Sequence, residues 1–481
     1  MNISQEELDI CLNVLQRISD NPSAIGDNQD IQFLIGKIYQ VCQFNEENNI
    51  TAKERRARSN EGVEKGNIVQ SANIQQREIQ LVNKSNKPIK CYVCKARFTE
   101  LHFFYNQLCP KCGDVNYQKR YQRTNLNGYV ALVTGGRIKI GYQTALGMLR
   151  DGARVIVTTR FPQDCDRRFS AEADFRQWRD RLSIYGLDLR NILAVENFVN
   201  HLINRESTLD IIVNNAAQTI KRPQEFYKQL LAGEELLSGQ EKPLENLLQN
   251  IPNQGRGLIA SEEFTERFFG ESNLDIKSNL SSQIYEQKLL SAGIDKEIET
   301  NYFPANTFDE EGQPLDMRPI NSWVLKLNEV STLEMLEVQL INNIAPFILN
   351  SKLKVLMERS PHPRKFIINV SAMEGQFNRK GKTPYHPHTN MAKAALNMMT
   401  RTSATDYARS RIYMNSVDTG WITNENPYPK KIHMQEKYGF QPPLDVIDGM
   451  ARIYDPIAQG LEKPETPVYG KFLKDYFPHS W

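Results

Sequence analysis

Cys91, Cys94, Cys109 and Cys112 have the spacing that points most directly to chemistry. Each CxxC forms a tight knuckle that presents two thiolates to one tetrahedral ion. The 14 residues between Cys94 and Cys109 allow a short hairpin or loop to bring the knuckles together. Four sulfur ligands fill a zinc coordination sphere, so the pattern predicts a structural site and not a hydrolytic one. His102 is a competing ligand in principle, but with four thiols present the four-cysteine set is preferred. Cys11, Cys42 and Cys165 are scattered. In a long chain, two CxxC pairs with no secretory signal read as metal ligands rather than disulfides.

A second group of reactive side chains lies towards the C-terminus. "GKTPYHPHTNMAKAALNMMTRTSA", Gly381 to Ala404, places a phenol, two imidazoles, a hydroxyl and an ammonium within a few turns: Tyr385, His386, His388, Thr389 and Lys393. Ser371 precedes it at the end of the apolar run "KFIINVS". Pro387 suits a helix start, so Thr389 and Lys393, four residues apart, share one helical face and Tyr385 comes from the preceding loop.

These groups need a scaffold. "GYVALVTGGRIKIGYQTALGMLRDGARVIVTTR" runs as apolar strand, glycine-containing turn, helix and second apolar strand. That is a βαβ unit, whose natural place is a parallel sheet covered by helices. Its turn leads into a helix N-terminus, which offers backbone N–H groups and a dipole to a pyrophosphate.

The unit resembles the short-chain dehydrogenase/reductase family, whose first turn is TGxxxGxG. Thr134, Gly135 and Gly141 match, and Lys139 stands where the middle glycine is expected. Further matches follow in order. "YGLDLRN" carries Asp188 and Leu189 where the family has an acidic residue near the adenine. "LDIIVNNAAQ" carries Asn214-Asn215-Ala216-Ala217, similar to the family's NNAG. "LINNIAPFILN" resembles the helix with the family's asparagine, which maps to Asn342. "KFIINVSAMEG" resembles the strand ending in the catalytic serine, Ser371. Lys393 and "IYMNSVDTGW" complete the series, with Thr419 in place of a proline. The resemblance implies a Rossmann-type doubly wound parallel sheet, a nicotinamide cofactor and a carbonyl or alcohol substrate. It assigns Thr134, Gly135, Arg137, Ile140, Gly141, Arg160, Asp188, Leu189, Asn215 and Lys393 to the cofactor. Asn342, Ser371 and Lys393, with Thr389 and Tyr385, are assigned to catalysis.

Cofactor preference follows from charge. NAD-binding members place a carboxylate at the end of the second strand for the ribose hydroxyls. Here that place is Thr159, followed by Arg160. With Arg137 in the glycine turn, Arg160 offers guanidinium groups to a 2′-phosphate, so NADP is expected over NAD.

In the family a tyrosine stands four residues before the lysine and moves the proton; here the residue is Thr389. A phenol, with a pKa of about 10, can be drawn towards neutrality by a nearby ammonium. An aliphatic hydroxyl is a far weaker acid. Tyr385, 14 residues after Ser371, is a candidate substitute, as is a water held by Ser371 and Thr389. His386 and His388 could also supply a proton near neutral pH, or lie on the loop surface. Two readings stay open: an NADP-dependent oxidoreductase with a non-standard proton donor, or a non-catalytic dinucleotide-binding sensor or scaffold.

Residues 1–85 carry apolar residues at helical spacing and a polar, charged stretch, and are expected to be helical. Residues 86–126 form the zinc ribbon-like module, and 127–481 the Rossmann domain. An insertion at about 218–330 is far longer than a structureless loop. Its clusters Phe226, Leu230, Leu231 and Phe264, Phe268, Phe269 keep helical spacing, and it is expected over the carboxyl ends of the strands as a lid, pocket wall or oligomer contact. The chain of 481 residues is 40% hydrophobic and 24% charged, with net charge +2, which argues against nucleic acid as a partner. The start of the chain has no basic residue followed by an apolar run, and no apolar stretch approaches the roughly 20 residues of a membrane span. A soluble cytoplasmic protein, pairing with itself and free to contact a protein through the zinc module or insertion, is the expectation.

Overall fold

The runs VALVT, RVIVTT, LSIYG, IIVN, KFIINVS and IYMNSVD are buried along nearly their whole length. Apolar strands without alternation belong in a parallel sheet covered on both faces. The computed structural model describes residues 84–238, 302–309, 311–379, 381–463, 465 and 467–481, together with two short strands at 63–64 and 248–249. Of residues 1–85, expected to be helical, the described ones, Val63–Glu64 and Lys84–Ser85, lie in strands; the expectation for the others lies outside the described residues. Phe264, Phe268 and Phe269 also lie outside them. The chain divides into two compact units between Gly113 and Asp114.

In the first unit, strands β1 (Val63–Glu64), β2 (Lys84–Lys90) and β3 (Arg97–Glu100) form an antiparallel sheet in sequential order. The first CxxC knuckle follows β2 directly. The second opens helix α1 (Pro110–Arg120).

The second unit is built on a nine-stranded sheet. Its centre has the order β6 (Leu182–Gly186), β5 (Arg154–Thr159), β4 (Val130–Thr134), β7 (Ile211–Asn214), β9 (Lys365–Ser371), β10 (Ile412–Asp418), all parallel. This is the doubly wound order, with β4 as the first strand and the direction of winding reversing beside it. One edge is extended by β8 (Leu248–Gln249), a parallel strand from the insertion. The other edge continues through β11 (Phe472–Lys474) and an antiparallel β12 (Phe477–His479).

Helices α2 (Lys139–Arg150), α3 (Pro162–Ser170), α4 (Phe175–Trp178) and α5 (Ile192–Arg205) follow β4, β5 and β6. The insertion contributes α6 (Gln224–Ser238). Then come α7 (Thr332–Gln339), α8 (Ala345–Lys352), α9 (Lys354–Glu358), α10 (Pro387–Arg409), α11 (Tyr428–Tyr438) and α12 (Val446–Glu462). Two apolar clusters form the core. One unites Met148, Phe169, Ile453 and Ile457 with Val133 and Val155; the other unites Phe198, Leu202, Leu349 and Met357 with Leu132 and Ile212.

A buried polar ladder ties the strands to the helices. Asn214 Nδ2 donates to Asn350 Oδ1 and Asn369 Oδ1, both at 2.8 Å, and Asn369 Nδ2 donates to Thr400 Oγ1 at 2.9 Å. Ser416 Oγ adds a 2.8 Å bond to Thr400 Oγ1. Each buried amide so engaged avoids a desolvation cost of about 1–3 kcal/mol, which fixes the register of β7, β9 and α10.

Candidate nucleotide and proton-transfer site

The turn between β4 and α2 is shaped by contacts that exclude side chains. A Cβ on Gly141 would stand 2.3 Å from the Gly135 carbonyl oxygen and 2.4 Å from Asn215 Nδ2. Gly135 has φ +68°, and a Cβ there would meet the Ala216 Cα at 2.9 Å. Lys139, where the family motif has its middle glycine, adopts φ +53°. The backbone therefore keeps the left-handed turn a glycine would make, at a cost of roughly 1–2 kcal/mol for an L-residue. Thr134 Oγ1 accepts from the N–H groups of Asn215 and Ala216, both at 3.0 Å, and Asn215 Nδ2 donates to the Thr134 carbonyl at 3.0 Å. Thr134 and Asn215 thus lock β4 to β7 across the switch point. Ile138, at the N-cap of α2, makes no side-chain hydrogen bond to the first amides of the helix. A cradle that a Cβ would fill, at an uncapped helix N-terminus, fits the pyrophosphate of a dinucleotide. Ile140 packs instead towards the core, beside Gly449.

At the end of β5, Thr159 is buried and its Oγ1 accepts from Phe161 N at 3.1 Å. Arg160 is exposed; one guanidinium N–H donates to Tyr227 Oη at 3.1 Å, and the group lies 4.7 Å from the Tyr227 ring centroid. Arg137 has a different fate from Arg160. It is buried, its Nη1 donates to Asp164 Oδ2 at 2.7 Å and its Nη2 to Gln313 Oε1 at 2.8 Å. Asp164 also binds Arg167 and Arg168, and although burial alone would raise its pKa, these guanidinium groups hold the carboxyl well below the usual carboxylate range. Asp188 pairs with Arg190 at 2.6 Å; Leu189 is buried beside it.

The insertion reaches this edge of the site. Tyr227 and Glu234 come from α6, and Glu234 accepts from the Gln163 and Asp164 amides at 2.9 and 2.7 Å, capping α3. Arg168 donates to the carbonyls of Glu311 and Gly312. Phe226 and Leu230 are buried, as their helical spacing suggests, but Leu231 is 52% exposed.

Ser371 is the last residue of β9, and Lys393 reaches the strand at the residue before it. Ser371 Oγ donates to Asn397 Oδ1 at 2.6 Å, and Lys393 Nζ donates to the Val370 carbonyl at 2.7 Å. Burial pulls the Lys393 ammonium down to about 8, against the opposing field of Glu374. Gly375 allows the loop after β9 to lie on α10, since a Cβ there would stand 2.6 Å from the Lys393 carbonyl carbon. Asn342 sits in a π-helical turn, Leu340–Ile344, between α7 and α8. Its Oδ1 accepts from Gln218 N at 2.7 Å and its Nδ2 donates to Gln218 O at 3.1 Å, clamping the segment after β7. Such single π turns collect at functional sites.

Thr389 is buried on α10, and its Oγ1 donates to the His386 carbonyl at 2.8 Å. Tyr385 is 37% exposed on the loop before the helix. His386 and His388 are not on the loop surface: they are 7% and 2% exposed. His388 Nε2 lies 3.2 Å from Glu334 Oε1 of α7. Sequence reasoning did not single out Asn397 or Trp323. Asn397 was detectable in principle, four residues beyond Lys393 on the same helical face; Trp323 belongs to the insertion and carried no local signal.

In the first unit, the Sγ atoms of Cys91, Cys94, Cys109 and Cys112 all lie within 4.8 Å of one another, with Cys94 and Cys109 3.7 Å apart. Tetrahedral sulfur ligands about 2.3 Å from zinc stand about 3.8 Å apart, so the set fits the ion. His102 is outside this set: its Nδ1 accepts from Phe104 N and Tyr105 N.

Residues 129–231 match the family model for short chain dehydrogenases. The chain is similar to uncharacterized protein R665 of Acanthamoeba polyphaga mimivirus, at 31% identity over 80% of this chain and 74% of that one. It is similar to dehydrogenase/reductase SDR family member 13 of Homo sapiens, at 33% identity over 27% of this chain and 32% of that protein. It is also similar to (+)-neomenthol dehydrogenase of Capsicum annuum, at 27% identity over 61% of this chain and 84% of the relative. Among the described residues no helix is long and apolar enough to cross a membrane.

Proposed function

The chain belongs to the short-chain dehydrogenase/reductase family, and we propose that it is an NADP-dependent oxidoreductase acting on a carbonyl or alcohol, with a proton donor other than the family's tyrosine. The observation that supports this most is that Ser371 ends β9 while Lys393 binds the carbonyl of the residue before it, at the carboxyl end of the same parallel sheet that carries the glycine turn after β4. A scaffold that only bound nucleotide could use Lys393 on the cofactor, but it would have no use for the strand-end hydroxyl of Ser371.

The residues would divide the work as follows. The α2 N-terminus with Gly135 and Gly141 holds the pyrophosphate, and Arg160 meets the 2′-phosphate. Asp188 and Leu189 border the adenine. Arg137, committed to Asp164 and Gln313, acts from behind by fixing α3 and the insertion. When bound, the nicotinamide supplies or accepts two electrons and a hydrogen at the substrate carbon. Ser371 orients the substrate oxygen, and Lys393 supplies positive charge beside it. The four cysteines hold one structural zinc in the first unit.

The test is a binding titration with NADPH and NADH, followed by turnover on a panel of aldehydes, ketones and alcohols. Tighter NADPH binding with turnover supports the proposal; binding with no turnover on any of them supports a sensor or scaffold instead.

A further inference from the structure

The assignment of Ser371, Lys393 and Thr389 leaves one conspicuous side chain without a role. The Thr389 hydroxyl has its proton committed to a peptide oxygen. Beside it, His386 Nδ1 lies 3.4 Å from Thr389 Oγ1 and 3.1 Å from Asn390 Oδ1. The imidazole is buried and stacks on the Trp323 indole, with centroids 3.9 Å apart and planes 7° apart. Its backbone has φ 43° and ψ 47°, left-handed in a residue with a Cβ, and its N–H donates to the Leu325 carbonyl at 2.8 Å. Such a conformation costs roughly 1–3 kcal/mol and persists only where surrounding contacts impose it, most often at functional sites. Here the contacts come from two directions, the insertion and α10, and they fix a ring.

We propose that His386 is the proton-transfer residue of this chain, exchanging a proton between its Nε2 and the substrate oxygen where other family members use tyrosine. The proposal rests on the oxidoreductase reading above. An Nδ1–H donated to Asn390 leaves Nε2 with the free lone pair of a neutral imidazole. In the oxidative direction the alcohol carbon loses a hydride to the oxidised nicotinamide while the alcohol oxygen loses its proton to Nε2. The products are a carbonyl, reduced nicotinamide and an imidazolium, and reduction is the reverse.

The surroundings favour the basic form. Burial pulls the His386 pKa below that of free histidine; Glu374, on the loop after β9, pushes it up, and His388 and Arg379 push it down. Glu374 also acts on Lys393, so one carboxylate influences both the imidazole and the ammonium. His388 is not the equivalent group, because its Nε2 faces the Glu334 carboxylate of α7.

NADP⁺ and NADPH differ in the positive charge on the nicotinamide ring, which makes the test independent of substrate. The seven histidines of the chain are titrated by NMR in each complex, and His386 is assigned by its loss in His386→Gln or by its contacts to the Trp323 indole. The His386 pKa is expected to lie roughly 0.5–2 units lower with NADP⁺ than with NADPH, as for a unit charge several ångströms away. Identical titration in the two complexes overturns the proposal. Failure of either nucleotide to bind overturns the oxidoreductase reading instead. On any alcohol that is oxidised, His386→Gln lowers kcat about 10²–10⁴-fold and Tyr385→Phe does not; the opposite pattern gives the role to Tyr385.

Discussion

Lys393 Nζ is hydrogen-bonded to the carbonyl of Val370, the residue immediately before Ser371, so the ammonium and the hydroxyl are positioned by adjacent residues of one strand. The lysine is therefore held by the same backbone that presents the serine. Movement of β9 against α10 would displace both, and Gly375, packed on the Lys393 carbonyl, leaves little room for it.

That burial has a stability consequence. The Lys393 pKa falls from 10.5 to about 8, so below pH 8 both folded and unfolded chains carry the proton and the full penalty is present. Between about 8 and 10.5 the unfolded chain binds more protons, and stability rises with pH. Lys393→Met should stabilise the protein at pH 7 by on the order of 2 kcal/mol, with the full shift setting a ceiling of about 3.4 kcal/mol. It should flatten this pH window and abolish turnover. Chemical denaturation across the window is the check; an unchanged slope would show that Lys393 is not desolvated as described.

Arg160→Ala should weaken NADPH binding about 10–100-fold, as expected for loss of a charge-assisted bond worth about 1.5–3 kcal/mol. NADH binding should be almost unaffected. Isothermal titration with both cofactors decides this. Equal losses would mean that Arg160 serves the adenosine as a whole, through its stacking on Tyr227.

The four thiols should carry about one zinc per chain, readable by elemental analysis of the purified protein. Replacing Cys94 with serine should reduce zinc retention and loosen the module. A metal-free chain with the module intact would contradict the assignment.

Pairing of two copies should occur through α7, α8 and α10. Leu336 and Phe347, 11 residues apart, are 52% and 58% exposed, and Met391 and Met398, seven apart, are 49% and 53% exposed. The seven-residue spacing keeps Met391 and Met398 on one face of α10, while Leu336 and Phe347 stand on α7 and α8, on either side of the π turn. Leu336→Glu with Met398→Glu should give a monomer in sedimentation; an unchanged mass would place any interface elsewhere.

The sequence carried much of the fold because its signals are local. VALVT, the glycine turn and the helix after it are contiguous, and KFIINVS ends on the serine that follows Val370, whose carbonyl binds Lys393. Lys139 looked like a broken motif, yet its backbone keeps the glycine conformation, a fact of φ and not of residue type. What could not be read were long-range polar contacts. Glu234 caps a helix some seventy residues earlier, Gln313 takes one arm of Arg137, and Trp323 supports His386. Each depends on how the insertion returns to the sheet, and a lone glutamate or tryptophan has no periodicity to announce it. Leu231 shows another limit: the cluster with Phe226 and Leu230 announced the helix α6, but not that Leu231 faces outward on it.

The central claim, that this chain is an oxidoreductase, is tested most directly by following NADPH consumption over a panel of aldehydes and ketones, with Lys393→Ala as the control. The account predicts consumption coupled stoichiometrically to alcohol formation by the native chain and its loss in the variant. Saturable NADPH binding with no consumption on any member of the panel, or in the reverse direction with alcohols and NADP⁺, would contradict it.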